Sequence, residues 1–371
     1  MLQIKRATLR EIQLPLVEPF TISSGTESMR RIGLVEVEDH EGFIGWGECV
    51  AGAFPNYNSE AIDTAWIALT DWILPITVGA SFDKPADIYP MLASRMRGNE
   101  MARATIEMAA YDLCAHRKGV SLSRFLGGTR DKVATGISVG IQDSPAILVE
   151  KVGGYIKEGY KKIKIKIKPG YDLPYVAAVR EAYGSAVSIM VDANNAYTLA
   201  DMDTLKKLDA LNLLMIEQPF AWDDVVQHAK VQRELNTPVC LDESITKVER
   251  AQDMVELKSG RIINIKPGRV GGFASSIAIH DYAEAHGIPV WCGGMLESGI
   301  GRAHNVALAS LPNFTLPGDI SPSRRYWAQD IVKPEWTMED GMLTVPVDKS
   351  GIGVEVDLDR IDDLTVRRVE I

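Results

Sequence analysis

Three carboxylates and a lysine recur along this chain at one interval. Asp192 in "VDANNAY", Glu217 in "IEQPF", Asp242 in "LDES" and Lys266 in "INIKPG" each close a short apolar run, at separations of 25, 25 and 24 residues. One interval upstream stands "YKKIKIKIKPG" (Tyr160–Gly170), where Lys162, Lys164, Lys166 and Lys168 alternate strictly with Ile163, Ile165 and Ile167. Successive side chains of a β-strand point to opposite faces, so one face is isoleucine and the other a row of ammonium groups about 7 Å apart. Each feature alone has a plain reading: an exposed strand face for the lysines, a turn or helix cap for "DAN" and "DES". The shared period is not explained that way. Three acids gathered at one place repel unless a cation sits among them. Mg²⁺, with Mn²⁺ as the alternative, takes oxygen ligands of this kind and keeps positions open for substrate. No His or Cys joins the set at zinc-like spacing, and His228 and His304 read as structural.

Amines beside a metal-held carboxylate suit one chemistry, the movement of a proton on and off the carbon next to that carboxylate. A free lysine, with a pKa near 10.4, is a poor base at neutral pH. Neighbouring cations and a low-dielectric cavity can bring it down to about 7–8. Lys164 beside Lys166, the metal itself, and Arg269 three residues after Lys266 are the cations expected to do so.

Elements must deliver these side chains to one place. From about 130 to 320, β-rich runs ("VATGISVGI", "KIKIKIK", "SIMVDA", "LLMIEQP", "PVCLDES", "RIINIKP", "IPVWCGG") alternate with amphipathic stretches such as "YVAAVREAYG" and "MDTLKKLDAL". That alternation predicts an α/β fold with a parallel sheet. Seven runs, with an eighth expected near "FTLPGD", favour a closed barrel over an open sheet, and no G-x-G-x-x-G follows a strand. In such a barrel the carboxyl ends of the strands crowd one mouth, where Lys164, Lys166, Asp192, Glu217, Asp242 and Lys266 would meet. Residues 1 to about 125 read as strands, with a hairpin in "LVEVEDHEGFIGWGEC", followed by a helix in "EMARATIEMAAYDLCAHRKG". After about 322 the chain turns strand-like again and is expected to return to the first domain. The expected division is thus 1–125, 126–321 and 322–371.

Composition removes several function classes. The 371 residues carry a net charge of −10, and no basic arm accompanies the lysine strand, so nucleic acid is not an expected partner. There is no apolar run of membrane-spanning length and no signal-peptide h-region at the start, so no membrane partner is expected. The cysteines, Cys49, Cys114, Cys240 and Cys292, are scattered among apolar residues, as in a cytoplasmic protein with reduced thiols.

The K-x-K strand, followed by D, E and D on the next three strands and K on the sixth, resembles the muconate-lactonising subgroup of the enolase superfamily. The strings "IKIKIKPGYD", "INIKPGRVGG", "WCGGMLESGIGRAHNVALASLPNFTLPGDISPS" and "PNYNSE" resemble, more narrowly, its o-succinylbenzoate synthase / N-acylamino acid racemase family. The resemblance implies an α+β capping domain, built from both chain ends, over a (β/α)₇β barrel. It implies Mg²⁺ on Asp192, Glu217 and Asp242, Lys166 and Lys266 as the acid/base pair, and Lys164 tuning Lys166. It implies two substrate-selecting capping loops, near Phe20–Thr26 and Phe54–Glu60, that bring Phe20 and Tyr57. Ser138, Asn194, Arg269 and Met295 complete the expected substrate contacts. Lys168 stands where the family often has a carboxylate. Dimers and octamers both accord with the family, so a homo-oligomer is expected.

Two activities fit one such site. One is the dehydration that forms o-succinylbenzoate for menaquinone; the other is racemisation of N-acylamino acids. The first is the favoured reading, with the second as a companion activity or as the physiological role. Dipeptide epimerase and muconate cycloisomerase are less favoured by "GGMLESG" and "PGDISPS". Two readings lie outside the family: a metal-free Schiff-base aldolase barrel and an anion-binding protein without catalysis.

Overall fold

The computed structural model describes residues 1–371. The lysine strand is short, Ile163–Lys166, and belongs to a parallel sheet of seven strands hydrogen-bonded in chain order. The others are Ile137–Val139, Ile189–Asp192, Ile216–Glu217, Val239–Leu241, Ile262–Ile265 and Val290–Cys292. All seven coincide with the β-rich runs. Each is followed by a helix, and the first turns are fastened by side-chain caps from Ser144, Asp172, Asp224 and Ser298.

Period-two alternation sorts the barrel into an outside and an inside. Ile163, Ile165 and Ile167 join the 65-residue core between the strands and the helix ring. Pointing the other way, Met190, Met215, Cys240, Ile262 and Trp291 form a separate apolar cluster. Two residues further along the same strands come Asp192, Glu217, Asp242, Asn264 and Gly293. The barrel interior is therefore an apolar floor under a charged layer, one pleat apart.

The expected eighth strand does not form. Residues 313–319 approach both open edges through single bridges, Val290↔Phe314 and Thr135↔Gly318, while Asp319 N donates to Cys292 O at 2.8 Å. Pro317, with no N–H, and Gly318 break the regular ladder here, and the segment closes the barrel as irregular backbone.

A second sheet caps the mouth. Leu2–Ile22 pairs antiparallel with both Gly25–Asp39 and the C-terminal strand Thr365–Glu370, and Ile44–Cys49 extends the far side. The expected hairpin is this second-to-third strand pair. The helix Glu100–Arg117 packs on that sheet over its own 24-residue core. Only the end of the C-terminal segment enters this sheet. Before it, Met342–Thr344 pairs with Lys132–Ala134, and Trp336, Leu343, Val345 and Ile352 belong to the barrel core. No helix is long and apolar enough to cross a membrane.

Candidate active site

The structure brings the six periodic residues together. Asp192 and Glu217 end their strands, while Asp242 and Lys266 stand one residue past theirs. All are buried. Lys166 Nζ lies 2.6 Å from Asp192 Oδ2 and donates to Asn194 Oδ1 at 2.7 Å. Lys266 Nζ lies 2.8 Å from Asp242 Oδ2. The two amines thus hold opposite ends of the acid series, with the strand carrying Glu217 between the two paired acids. Gly293 makes room for the second: a Cβ there would come within 2.6 Å of Lys266 Cε and 2.4 Å of Asn264 Oδ1.

Glu217 has no strong cation of its own. Its Oε1 accepts from Asn264 Nδ2 at 2.7 Å, and its Oε2 is buried without a hydrogen-bond partner, 3.4 Å from Lys164 Nζ. Burial first, then the charge of Asp192, pushes this carboxyl well above the usual range. Asp192 moves the other way: burial is overcome by Lys166 and Lys164, which hold it low. At Asp242, Lys266 and Arg269 likewise outweigh burial. Three buried carboxylates stand at the ends of adjacent strands, one oxygen of Glu217 lacks a hydrogen bond, and all of the donors are hard oxygens, although their oxygens do not all lie within 4.8 Å of one another. That set fits Mg²⁺ and gives zinc none of its preferred ligands. The grouping His280, Asp281 and Glu284 lies elsewhere and, with both acids exposed, offers no comparable site.

At Lys266 the neighbouring acid outweighs the neighbouring cations. Burial lowers the Lys266 pKa, but the Asp242 carboxylate and Tyr57 outweigh it and hold the ammonium above its usual range. Arg269 does not act as a bare cation beside Lys266. It is buried behind Asp242, pairing with Oδ1 and donating to Ile245 O at 3.0 Å and Asn264 O at 2.6 Å. It lines not the main cavity but a second one, with Tyr57 and Glu243.

That cavity, about 220 Å³, lies between barrel mouth and cap. Lys164, Lys166, Lys266, Ser138, Asn194 and Met295 line it from the barrel, and Phe20, Ile22, Phe54 and Tyr57 from the cap. The first capping loop is not a free loop. Phe20, Thr21 and Ile22 pair with Glu27, Thr26 and Gly25, making it the tip of a long hairpin. His228 and His304 are structural: His228 Nε2 accepts from Phe220 N at 3.2 Å, and His304 Nε2 lies 3.0 Å from Trp46 O. Lys168 is half-buried, its ammonium 4.9 Å from the Tyr171 ring centroid.

Two acids of the site were not singled out by spacing. Asp319, on the irregular closing segment, ion-pairs Lys164 at 2.6 Å and Lys162 at 3.3 Å. Burial opposes its ionisation, but those two lysines hold it down at about 2. Lys162 itself lies on the apolar floor, 3.4 Å from the Trp291 ring centroid, and burial lowers its pKa. Glu243, beside Asp242, accepts from Asn194 Nδ2 at 3.0 Å and so steadies the amide that touches Lys166. Asp319 sits inside the string "TLPGDIS", and Glu243 inside "LDES"; adjacency to those motifs was the available signal.

A capped parallel barrel of seven strands, closed by an irregular segment and carrying three acids between two lysines at its mouth, defines the enolase-like class of barrel proteins. The chain belongs to the mandelate racemase / muconate lactonizing enzyme family: residues 5–127 match its N-terminal domain, and residues 148–360 match the enolase C-terminal domain-like family. It is 46% identical to an o-succinylbenzoate synthase of Geobacillus stearothermophilus over 98% of this chain and 96% of that one. It is equally 46% identical to an N-succinylamino acid racemase of Amycolatopsis sp. over the whole of both. A crystal structure of an enolase-superfamily member from Listeria innocua superposes with a TM-score of 0.96 at 39% identity, covering 100% of this chain and 99% of that one.

Proposed function

We propose that this protein is an o-succinylbenzoate synthase that also racemises N-succinylamino acids, working in menaquinone biosynthesis. The substrate of the first reaction is 2-succinyl-6-hydroxy-2,4-cyclohexadiene-1-carboxylate. In this reading the barrel of 126–321 is catalytic, and the chain ends, 1–125 and 322–371, cover it. The observation that carries it is the pair of ammonium groups held at 2.6 and 2.8 Å against the two outer acids of one buried three-carboxylate set. Near-full-length identity to relatives bearing both names supports it.

Asp192, Glu217 and Asp242 would hold Mg²⁺, which supplies a counter-charge for the substrate carboxylate and withdraws the acid charge that otherwise keeps the lysines protonated. Lys166 takes the proton from the ring carbon bearing the carboxylate. The C–H electron pair becomes a ring double bond as the C–OH bond breaks, and Lys166 returns its proton to the departing hydroxide as water. Lys266 stays an ammonium facing the charge that develops on the substrate. In racemisation one lysine removes the α-proton and the other delivers one to the opposite face. Lys164, held by Asp319, keeps a positive charge beside Lys166. The cap residues Phe20 and Phe54, the ring of Tyr57, and the barrel residues Ser138, Asn194 and Met295 enclose the remainder of the substrate.

Four free thiols support a cytoplasmic setting, and a homo-oligomer completes the reading. The test is direct. Purified protein with Mg²⁺ should convert the cyclohexadiene carboxylate to o-succinylbenzoate, followed by its absorbance, and should racemise N-succinyl-phenylalanine. Both activities should vanish with a chelator and return with Mg²⁺. Activity indifferent to chelation, or a product trapped on lysine by borohydride, would instead favour the Schiff-base barrel.

A further inference from the structure

The two lysines are not held in the same way. Lys166 bonds to Asp192 and to the Asn194 side chain, both on the barrel. The cap lines that side with Phe20 and Ile22 but gives Lys166 no hydrogen bond; the Ser23 hydroxyl donates to the Asn194 main-chain oxygen at 3.1 Å and leaves the amide free for Lys166. Lys266 has a partner from the cap itself. Its Nζ donates to the Tyr57 hydroxyl at 3.1 Å and sits 4.6 Å from the centroid of that ring. The same hydroxyl donates to Asp242 Oδ1 at 3.0 Å. One phenol therefore places Lys266 by a hydrogen bond and a cation–π contact, and braces the acid that pairs with it. Tyr57 stands in "FPNYNSE" on the second capping loop, 209 positions from Lys266, with Phe54 beside it 72% exposed.

We propose that Tyr57 is a positioning residue for Lys266 alone, so that the second capping loop sets the competence of one face of the site and not the other. The inference rests on the assignment above of Lys166 and Lys266 to opposite faces of the substrate. Its consequence is selective. Racemisation needs a proton transfer at both faces. Dehydration needs a transfer only at Lys166, with Lys266 as a bystanding charge. Loosening Tyr57 should therefore slow racemisation more than dehydration.

Tyr57→Phe keeps the ring and removes the hydroxyl. The experiment follows α-deuterium incorporation from D₂O into each enantiomer of N-succinyl-phenylalanine with Mg²⁺. Lys166→Ala and Lys266→Ala identify which enantiomer each lysine serves. Exchange of the Lys266-served enantiomer should fall about tenfold in Tyr57→Phe, the effect of losing one hydrogen bond to a charged group. The Lys166-served enantiomer should keep its rate within about twofold, and kcat for o-succinylbenzoate formation should fall less than the racemase kcat. A rise in melting temperature on adding Mg²⁺ should persist, because the three acids remain and Asp242 keeps its pairs with Lys266 and Arg269. Equal slowing of both enantiomers, no slowing of either, or loss of the Mg²⁺-dependent rise would each overturn the inference and leave the proposed function standing. A wild type that exchanges neither enantiomer would remove the proposed function and this inference with it.

Discussion

Asp319 keeps Lys164 aimed at the acids and is the one ion-pair partner of Lys162, whose floor is otherwise Trp291 and its apolar neighbours. Removing one partner of a buried ion pair costs about 3–5 kcal/mol, because the remaining charge is left uncompensated. Asp319→Asn should therefore lower the melting temperature sharply. Adding Lys162→Met, which suits the apolar floor, should recover part of that loss; a double variant showing the simple sum of two separate losses would refute the coupling. Gly293→Ala should cut kcat by tenfold or more while sparing much of the stability, as its Cβ would displace the Lys266 stem, 2.6 Å away. An unchanged kcat would show that the stem can move aside without consequence. The periodic residues were legible in the sequence because barrel geometry repeats. Asp319 was not, since it rides on backbone outside the repeat. The aim of Tyr57 at Lys266 was not legible either, because it is set by how the cap docks.

Barrel helices are tied to the cap by buried carboxylates. Glu107, on the cap helix Glu100–Arg117, accepts from Phe273 N and Ala274 N at 2.8 Å, the first turn of the helix Phe273–Ala285. Glu48, on the strand Ile44–Cys49, accepts from Gly301 N at 2.8 Å in the helix Gly299–Ala309. Gly272, at φ +115°, admits the first contact: a Cβ there would meet Glu107 Oε2 at 2.2 Å. Burial pushes Glu107 up to about 8, against those two backbone donors. An unfolded glutamate titrates near 4.3, so between that value and about 8 the folded state binds more protons than the unfolded one. The stabilisation from Glu107 is then fully present below the lower value and is lost as pH rises through the higher. Glu107→Gln removes this titration. Its melting deficit relative to wild type should narrow from pH 5 to pH 8.5, and a deficit that widens would reverse the sign. At this scale the seven strand runs were readable from apolar length and flanking turns. The eighth was not, because its Pro-Gly breaks the ladder, and the first capping loop proved to be a hairpin tip because its residues find partners across the turn.

As a whole molecule, the protein is a barrel that gathers charge and a cap that covers it. Three carboxylates, one with a buried oxygen that lacks a hydrogen bond, should bind Mg²⁺ in the folded state alone. At a hundredfold excess over Kd that binding stabilises by about 2.7 kcal/mol, visible as a raised melting temperature. Glu217→Gln should shrink the rise, and a wild type indifferent to Mg²⁺ would contradict the acid set as a ligand set. The overall architecture was legible because strand–helix alternation and the acid period agree. The path of residues 322–371 was less so. Short irregular strands carry little periodicity, and most of this segment covers the barrel before its last strand enters the cap sheet.

The central claim is that two amines address one carbon from opposite faces. Enantiomer-resolved deuterium exchange in Lys166→Ala and Lys266→Ala tests it most directly. Neither variant should racemise N-succinyl-phenylalanine. Each should still exchange the α-proton of one enantiomer, and a different one in each case. Loss of the same enantiomer's exchange in both variants, or full racemisation in either, would contradict it.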